Sequence, residues 1–275
     1  MGKLVAASVI MTVYNGGSFL SAAIESIRKQ TVTDWEFVIV DDGSTDNTAS
    51  ILASARVDPR ITVISSKRLG RARALNLAWK NTTGKFIANL DADDLAEPDR
   101  LEKQLSFLQA NPDVGLLGTA WNFFVGDDNQ HVTVFRFPLA NSELRNALIR
   151  YYPFCHSATM FTRHALQQVN GYNENYRVCL DYEISARIAC RHEVANLADV
   201  LTWKRSLATS FFGKISGWER YRAVVKIRWM AWLAFSRKVE ELPCVVNGWG
   251  IFKQSMGMHF YQFRSRFTEP SKITR

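Results

Sequence analysis

Two carboxylates at the end of an apolar run are the residues of this sequence best suited to chemistry. Asp91 and Asp93, with Asp94 behind them, directly follow the run FIANL at 86–90. Residues two apart in an extended segment point to the same side, so Asp91 and Asp93 are predicted to share one face beyond a buried strand. Such a pair suits Mg²⁺ or Mn²⁺, which in turn binds a diphosphate. Aspartates are also ordinary turn residues, and the motif alone leaves both interpretations open.

Strands and helices must alternate along the chain to position this pair. Apolar, β-rich runs are each followed by helical spacing or a helix-start signal, and the predicted strands are 8–13, 35–40, 61–64, 86–90 and 114–118. This alternation predicts an α/β fold with a mostly parallel sheet flanked by helices. Ligands of such sheets bind beyond the carboxyl ends of the strands.

The two commonest nucleotide-binding signatures are missing. No G-x-G-x-x-G follows the first strand, and no G-x-x-x-x-G-K-[ST] occurs in the chain. Any nucleotide must therefore be held by carboxylates and other side chains rather than by a glycine-rich loop.

The periodicity is looser beyond residue 120. The segment 121–137 predicts strands around a turn at 126–129, and 158–161 predicts a further short strand. Helical spacing predicts helices at 141–150 and 180–191.

The composition fits a cytoplasmic protein. The hydrophobic fraction of 47% supports a real core. Cys155, Cys179, Cys190 and Cys244 form no CxxC pair, which argues against a zinc site or a disulfide scaffold and fits a reducing compartment. Neither a signal-peptide pattern nor a run of 18 apolar residues is visible. The expected location is the cytoplasm, either free or bound peripherally to the cytoplasmic face of the membrane.

The basic excess lies in the last quarter of the chain. Residues 204–275 carry 14 Lys and Arg against four Glu, whereas the first 203 residues carry 20 Lys and Arg against 22 acidic residues. A basic tail predicts a role separate from that of the body. A nucleic-acid surface is one candidate, but the near-neutral body and the helical register of the tail tryptophans count against it.

An aromatic stripe runs along the tail near 214–240. Its members recur at helical spacing and fall within an arc of roughly 80°, and they are Trp218, Tyr221, Val225, Trp229, Trp232 and Val239. Arg222, Lys226 and Arg237 line one edge of the stripe, and Arg228 lines the other. This pattern fits an interfacial helix on an anionic membrane. It equally fits a helix packed on the body of the protein with its cations in water.

Several segments, in order, resemble the family 2 glycosyltransferases with the GT-A fold. The similarity extends over residues 5–205, and its motifs are SVIMTVYN at 8–15, VDDGSTD at 40–46, GKFIANLDADD at 84–94, HSATMF at 156–161, GY at 171–172 and LDYE at 180–183. The resemblance implies a Rossmann-like GT-A domain. It also implies transfer of a sugar from a nucleotide diphosphate sugar, usually with inversion, to a glycan or lipid-linked acceptor. It divides the chain into a nucleotide-sugar-binding half at 1–118, an acceptor-binding half at 119–210 and a helical, basic extension at 211–275.

The resemblance also implies which residues bind the donor. Thr12, Tyr14 and Asp42 match positions that hold the nucleobase and ribose. An Asp42 that accepts a hydrogen bond from the base favours uracil or thymine, and hence a UDP- or dTDP-sugar. Tyr14 could stack on the base or be only a strand-end aromatic residue. Either Arg71 or Arg73 falls at a donor-binding position.

The metal and the catalytic base are implied by the same resemblance. Asp91 matches the residue near the ribose and the metal, and Asp93 matches the metal ligand on the diphosphate, with Mn²⁺ or Mg²⁺ as the cofactor. Asp181 matches the base that takes the acceptor proton. As an alternative or additional role, Asp181 could cap the helix that follows it.

Three further residues are weaker candidates for contacting the acceptor. His156 could do so, could join the metal sphere, or could be a histidine satisfied within its loop. Trp121 and Trp203 could form a sugar platform or pack in the core.

The sequence departs from the family pattern at two places. Leu180 stands where an acid usually precedes Asp181, which leaves a degenerate, inactive homologue as one alternative. The Q-x-x-R-W motif of processive synthases is replaced by VKIRW at 225–229, which favours one sugar per encounter. Nucleotidyl transfer is a further alternative, disfavoured because no glycine- and lysine-rich loop lies near the first strand.

Overall fold

The computed structural model describes residues 5–125, 132–206 and 216–235. Nine strands are found there: β1 (Ala7–Val13), β2 (Trp35–Asp41), β3 (Ile61–Ser65), β4 (Phe86–Asn89), β5 (Leu95–Ala96), β6 (Val114–Val125), β7 (Val132–Phe135), β8 (Met160–Thr162) and β9 (Glu193–Ser206). The α-helices of the same ranges are α1 (Leu20–Arg28), α2 (Thr48–Ala55), α3 (Arg71–Lys80), α4 (Arg100–Ala110), α5 (Asn141–Arg150), α6 (Arg163–Gln168), α7 (Leu180–Ala189) and α8 (Gly217–Phe235).

All described strands belong to one sheet. Their order is β3-β2-β1-β4-β8-β6-β9-β5, and β7 pairs with the free end of β6. Strands β1 to β4 are mutually parallel, and β6 and β9 run in the same direction, whereas β5, β7 and β8 run against them. The mostly parallel sheet that the sequence predicts is therefore present, with reversed strands in its second half.

Helices cover both faces of the sheet because the strands alternate apolar side chains between the two sides. Ile10, Val38 and Val40 pack on one side with α3, α5, α7 and α8. Val9 and Phe37 pack on the other side with α1, α2 and α4. Packing in the two cores aligns β1, β2 and β4 with one another, so the carboxyl ends of these strands lie side by side.

Two differences from the predicted elements concern the second half. Strand β6 extends to Val125, so the predicted boundary at 118/119 falls inside a strand that belongs to the common sheet. Strand β9, which pairs with β6 in parallel, was not predicted at all. Its sequence over 193–206 mixes apolar residues with charged and polar ones without a regular alternation, so it matches neither the pattern of a buried strand nor that of an amphipathic one. The turn predicted at 126–129 lies outside the described residues.

Candidate active site

The site lies where β1, β2 and β4 end. The turn after β1 is fastened to the turn after β2: the Thr45 N–H donates to Asn15 Oδ1 at 2.8 Å, and the Asn15 N–H donates to Ser44 Oγ at 3.0 Å. Asn15 has a φ of 53°, a left-handed conformation that asparagine tolerates better than most residues. These polar motif residues therefore shape the rim of the site rather than facing a ligand.

The acidic segment after β4 is a turn and not an extended strand. The strand ends at Asn89, and the Asp94 N–H donates to the Asp91 carbonyl at 3.2 Å. The premise that Asp91 and Asp93 share a face because they are two apart in a strand is therefore wrong. The two carboxylates are nevertheless close enough to influence each other's charge.

Asp91 is the anchor of a hydrogen-bonded chain. Arg71 Nη2 donates to Asp91 Oδ1 at 2.7 Å. His156 Nδ1 lies 3.2 Å from that same oxygen, and its Nε2 lies 2.9 Å from the Tyr172 hydroxyl. The Tyr172 hydroxyl donates to Asn89 Oδ1 at 3.3 Å. Burial favours a neutral Asp91, but Arg71 and His156 outweigh it and hold the pKa of Asp91 well below its usual range.

The ring nitrogens of His156 are both used in contacts within the protein. Its side chain is 5% exposed and both ring nitrogens have partners. Among the alternatives for this residue, the structure supports the satisfied histidine, which here positions Asp91.

Arg71, and not Arg73, enters the site. Burial alone would lower the pKa of Arg71, but the carboxylates of Asp91 and Asp181 outweigh it and raise that pKa above its usual value. Arg73 points away and pairs with Glu174 at 3.1 Å, where its side chain is 61% exposed. Residues two apart on a helix do not face the same way, so only one of the pair can reach Asp91.

Asp94 is a structural residue. It is fully buried, and it accepts hydrogen bonds from Ser157 Oγ at 2.5 Å, from the Arg205 N–H at 2.9 Å and from Lys204 Nζ at 3.3 Å. Burial opposes the charge on Lys204, but Asp94 and the neighbouring anions, which include Asp91 and Asp93, raise its pKa. Lys204 and Arg205 come from β9, so no local sequence signal could have identified them as partners of this turn.

Within the described part of the chain, the carboxylate of Asp93 interacts with the charge of Lys204 and with its own N–H. Its carboxylate accepts no hydrogen bond from any other residue that the structure describes. Burial, together with the charges of Asp94 and Asp91, raises the pKa of Asp93 to about 6. A partly buried anion repelled by its neighbours is a fitting ligand for a cation.

The donor set suits a hard divalent cation that is completed by substrate oxygens. Within the described ranges no group of three or more His, Cys, Asp or Glu side chains is arranged to hold a metal. Mg²⁺ in nucleotide sites uses one or two carboxylates together with phosphate and water oxygens. Asp93 and the Oδ2 atom of Asp91, which accepts no hydrogen bond from described residues, supply that smaller set.

Asp42 holds the loop 66–70 that connects β3 to α3. Its Oδ1 accepts from the Leu69 N–H at 2.5 Å and from Ser66 Oγ at 3.3 Å. Its Oδ2 accepts from the Gly70 N–H at 3.0 Å and from Arg68 Nη1 at 3.4 Å. Asp42 is 4% exposed and lies beside Thr12 and Tyr14 at the ends of β1 and β2.

Asp181 lies in the first turn of α7, and its negative charge contributes to the raised pKa of Arg71. The helix begins at Leu180 with Cys179 at its N-cap, and Asp181 Oδ1 accepts a hydrogen bond from the Tyr182 N–H at 2.9 Å, so Asp181 supports the first turn without standing at the N-cap position itself. Leu180 is 4% exposed and packs in the core, which explains why an apolar residue stands at that position. Glu183 is buried in an ion pair with Arg187 at 2.7 Å, which leaves Asp181 as the carboxylate of α7 available to a substrate.

Trp121 and Trp203 do not form a common platform. Trp203 pairs in register with Asn122, so Trp121 points to the opposite face of the sheet. The ring of Trp121 stacks on Phe135 with centroids 4.3 Å apart. Trp203 donates its ring N–H to Glu97 and packs edge-on against Phe124. Both tryptophans therefore have structural partners.

The sequence of the chain matches a known family over more than half its length. The profile of glycosyl transferase family 2 matches residues 8–169. The chain is also similar to the amylovoran biosynthesis glycosyltransferase AmsE of Erwinia amylovora, with 30% identity over 225 residues that cover 80% of this chain and 83% of that protein. The chain belongs to glycosyltransferase family 2.

Solved structures confirm the fold of this glycosyltransferase. Staphylococcus aureus TarS in complex with UDP-GlcNAc superposes with a TM-score of 0.69 at 18% identity, covering 98% of this chain and 76% of that one. The mannosyltransferase PcManGT of Pyrobaculum calidifontis, in complex with GDP-Man and Mn²⁺, superposes with a TM-score of 0.63 at 20% identity, covering 98% and 77%. The GT-A class predicted from the motifs is therefore confirmed.

The C-terminal helix of the glycosyltransferase is docked through the face opposite its tryptophans. Ile227 and Ala231 of α8 are fully buried against the core shared with α5 and α7. Trp218 and Trp229 are 67% and 62% exposed. Among the described helices none is long and apolar enough to cross a membrane. Val239 and Arg237 of the predicted stripe lie outside the described residues.

Proposed function

We propose that this glycosyltransferase transfers one sugar per encounter, with inversion and with the aid of a divalent metal, from a UDP- or dTDP-sugar to a glycan or lipid-linked acceptor of a cell-surface polysaccharide, lipopolysaccharide or glycolipid. The observation that carries the proposal is that two carboxylates interact with the same arginine. Arg71 donates a hydrogen bond to Asp91, the proposed donor-side residue, and the charge of Asp181, the proposed base, contributes to the raised pKa of Arg71. We infer that the diphosphate leaving group binds on the Asp91 side of Arg71 and the acceptor on the Asp181 side.

The acceptor must lose its hydroxyl proton as it attacks the anomeric carbon. Asp181 is the carboxylate that we propose takes that proton. A single in-line attack from the side of Asp181, opposite the departing diphosphate, inverts the configuration. Burial opposes the charge of Asp91, but Arg71 helps to hold the pKa of that carboxylate below its usual range, so Asp91 stays ionised. The negative charge of Asp181 contributes to the raised pKa of Arg71.

The donor diphosphate is bound at the turn 91–94. Asp93 and Oδ2 of Asp91 would hold Mn²⁺ or Mg²⁺ there, and the cation supplies positive charge that stabilises the departing diphosphate. Thr12, Tyr14 and Asp42 are proposed to bind the nucleoside at the adjoining strand ends, as the family resemblance implies. That TarS binds UDP-GlcNAc and PcManGT binds GDP-Man with Mn²⁺ supports a nucleotide-sugar donor.

The donor proposal is tested by thermal unfolding with a panel of nucleotide sugars, each with Mn²⁺ and with EDTA. A ligand at 100 times its Kd raises the unfolding temperature by about 4–8 °C for a chain of this size. We expect a UDP- or dTDP-sugar to produce this shift only with Mn²⁺, and GDP-mannose to produce none. A shift that survives EDTA would contradict the metal requirement. If no nucleotide sugar produced a shift, the donor assignment itself would be wrong.

Helix α8 is proposed to rest on an anionic membrane surface. Its docked face orients Trp218, Trp229 and Leu233 outward, together with the exposed cations Arg222 and Lys226. Aromatic and cationic residues on one outward face are typical of interfacial helices. A cleft of about 630 Å³ beside Trp229 and Leu233 leaves room for an apolar chain. Membrane contact would bring a lipid-linked acceptor to the site.

Replacing Trp218 and Trp229 together by glutamate is expected to release the protein from vesicles. The wild-type chain should co-sediment with vesicles that contain phosphatidylglycerol, and the double variant should bind them at least roughly tenfold more weakly, since two interfacial aromatics are lost and two anions are added. The matched control is Val57→Glu with Val134→Glu, which changes two exposed apolar residues elsewhere. Equal sedimentation of all three proteins, or no binding by the wild type, would exclude this surface as a membrane contact.

A further inference from the structure

An arginine side chain covers the proposed nucleobase site. The guanidinium of Arg68 lies over the ring of Tyr14, with Cζ 3.2 Å from the ring centroid. Its Nη1 donates to Asp42 Oδ2 at 3.4 Å. A guanidinium is flat, stacks on aromatic rings and presents N–H donors along its edge. Arg68 therefore offers Tyr14 and Asp42 the same two groups that a pyrimidine base would offer them, a flat face and an N–H donor.

We propose that Arg68 occupies the nucleobase position of the donor site and is displaced when a nucleotide binds. In the ligand-free enzyme it occupies both the Tyr14 face and an acceptor position on Asp42. Only a base that supplies a stacking surface and an N–H donor together replaces both contacts and displaces it. This inference rests on the proposed function, because Tyr14 and Asp42 are taken there as the nucleobase contacts.

The base must displace Arg68 and cannot slide beneath it. A separation of 3.2 Å between the guanidinium and the ring is already van der Waals contact. A base inserted between them needs about 3.5 Å on each of its faces. The ring of Tyr14 thus becomes available only after Arg68 has left it.

The hydrogen bonds to Asp42 explain why only the Arg68 side chain has to move when a base replaces it. Each carboxylate oxygen accepts two hydrogen bonds, and all four positions are filled, by Ser66, Leu69, Gly70 and Arg68. Two of these donors are backbone N–H groups that hold the loop 66–70. The Arg68 side chain is 57% exposed, so it can turn into water and free one position on Oδ2 without disturbing those backbone contacts.

Ligands without a base do not compete with Arg68, and this difference provides the test. Isothermal titration with Mn²⁺ measures the Kd of UDP and of inorganic pyrophosphate for the wild type and for Arg68→Ala. Both ligands contain a diphosphate, so dividing the UDP Kd by the pyrophosphate Kd cancels the effect that the lost positive charge has on diphosphate binding. We expect Arg68→Ala to lower this ratio about two- to fivefold, the range set by an exposed cation–π contact.

The matched control is Arg60→Ala. Arg60 stacks on Trp35 with Cζ 3.7 Å from the ring centroid and pairs with Asp58 at 2.9 Å, beside the opposite end of β3. Its removal deletes a similar contact outside the site and should leave the ratio unchanged.

The remaining outcomes separate this inference from the proposed function. A ratio that is unchanged in Arg68→Ala overturns the displacement of Arg68 by the base and leaves the glycosyltransferase proposal standing. A ratio that rises also overturns displacement, because Arg68 would then form a second wall of the base site. A wild-type chain that binds neither UDP nor dTDP overturns both.

Discussion

Replacing Asp181 by asparagine is expected to lower the rate of sugar transfer by about 10²- to 10⁴-fold, the contribution usual for a general base. Asparagine has nearly the same shape but cannot take a proton from the acceptor hydroxyl. Binding of the donor should be unchanged, because Asp181 is proposed to act on the acceptor and not on the donor. The measurements are kcat with saturating donor and the Kd of the nucleotide with Mn²⁺.

The control for this variant is Glu183→Gln on the same helix. Glu183 is buried, and its carboxylate is held in an ion pair with Arg187. Its replacement should lower the free energy of unfolding and leave kcat of the folded protein within a few fold. Turnover by Asp181→Asn at the wild-type rate would remove Asp181 as the base.

Replacing Asp93 by asparagine is expected to abolish the dependence of nucleotide binding on Mn²⁺. The amide is a neutral and weaker ligand, and the remaining contact through Asp91 shares its carboxylate with Arg71. Because the bridge between protein and diphosphate would be lost, we expect about a 100-fold rise in the Kd of UDP with Mn²⁺, the upper end for loss of a metal-site interaction. Titrations with Mn²⁺ and with EDTA should then give the same Kd. A Kd that still responds to Mn²⁺ would contradict the metal role of Asp93.

The same variant should be more stable than the wild type when no ligand is present. Ionised Asp93 is unfavourable in the folded protein, because its folded pKa of about 6 exceeds the unfolded value. The wild type therefore gains stability as the pH falls from about 6 to 4, where the folded state binds the proton more tightly. Asparagine removes the penalty at pH 7.5. The full shift corresponds to about 3 kcal/mol, and partial exposure of the side chain reduces the expected gain to roughly 1–2 kcal/mol.

Urea unfolding at pH 7.5 and pH 4 provides the check. The stability difference between Asp93→Asn and wild type should be present at pH 7.5 and nearly absent at pH 4. Asp113→Asn, which alters an exposed carboxylate, should show little difference at either pH. A variant that is less stable at pH 7.5 would show that Asp93 is a structural residue and would weaken its assignment to the metal.

Much of the architecture and the position of the site could be predicted because they depend on local periodicity. Apolar strands that alternate with helices predict parallel pairing, and parallel pairing brings the carboxyl ends of β1, β2 and β4 to one edge. The motifs at Asp42 and Asp91 stand at these ends, so their proximity follows from the order of elements. The geometry of the 91–94 turn did not follow, since its closing hydrogen bond replaces the extended conformation that spacing alone assumes.

Contacts between distant segments were decided by tertiary structure alone. Lys204 reaches Asp94 from a strand 110 residues away, and its place depends on the register of β9 against β6. The choice of Arg71 over Arg73 depends on how α3 is rotated against the sheet. His156 could be recognised as a support for Asp91 only once Tyr172 was seen to bond its other nitrogen.

The tail helix illustrates the same division. Its spacing alone indicated an amphipathic helix with a tryptophan stripe. It did not indicate that Ile227 and Ala231, on the other side, make the contact with the body of the protein. Periodicity reports which residues share a face, because that depends only on neighbours along the chain. Which face is buried depends on the shape and apolarity of the surface that the helix meets, and that surface is built by residues far away in sequence.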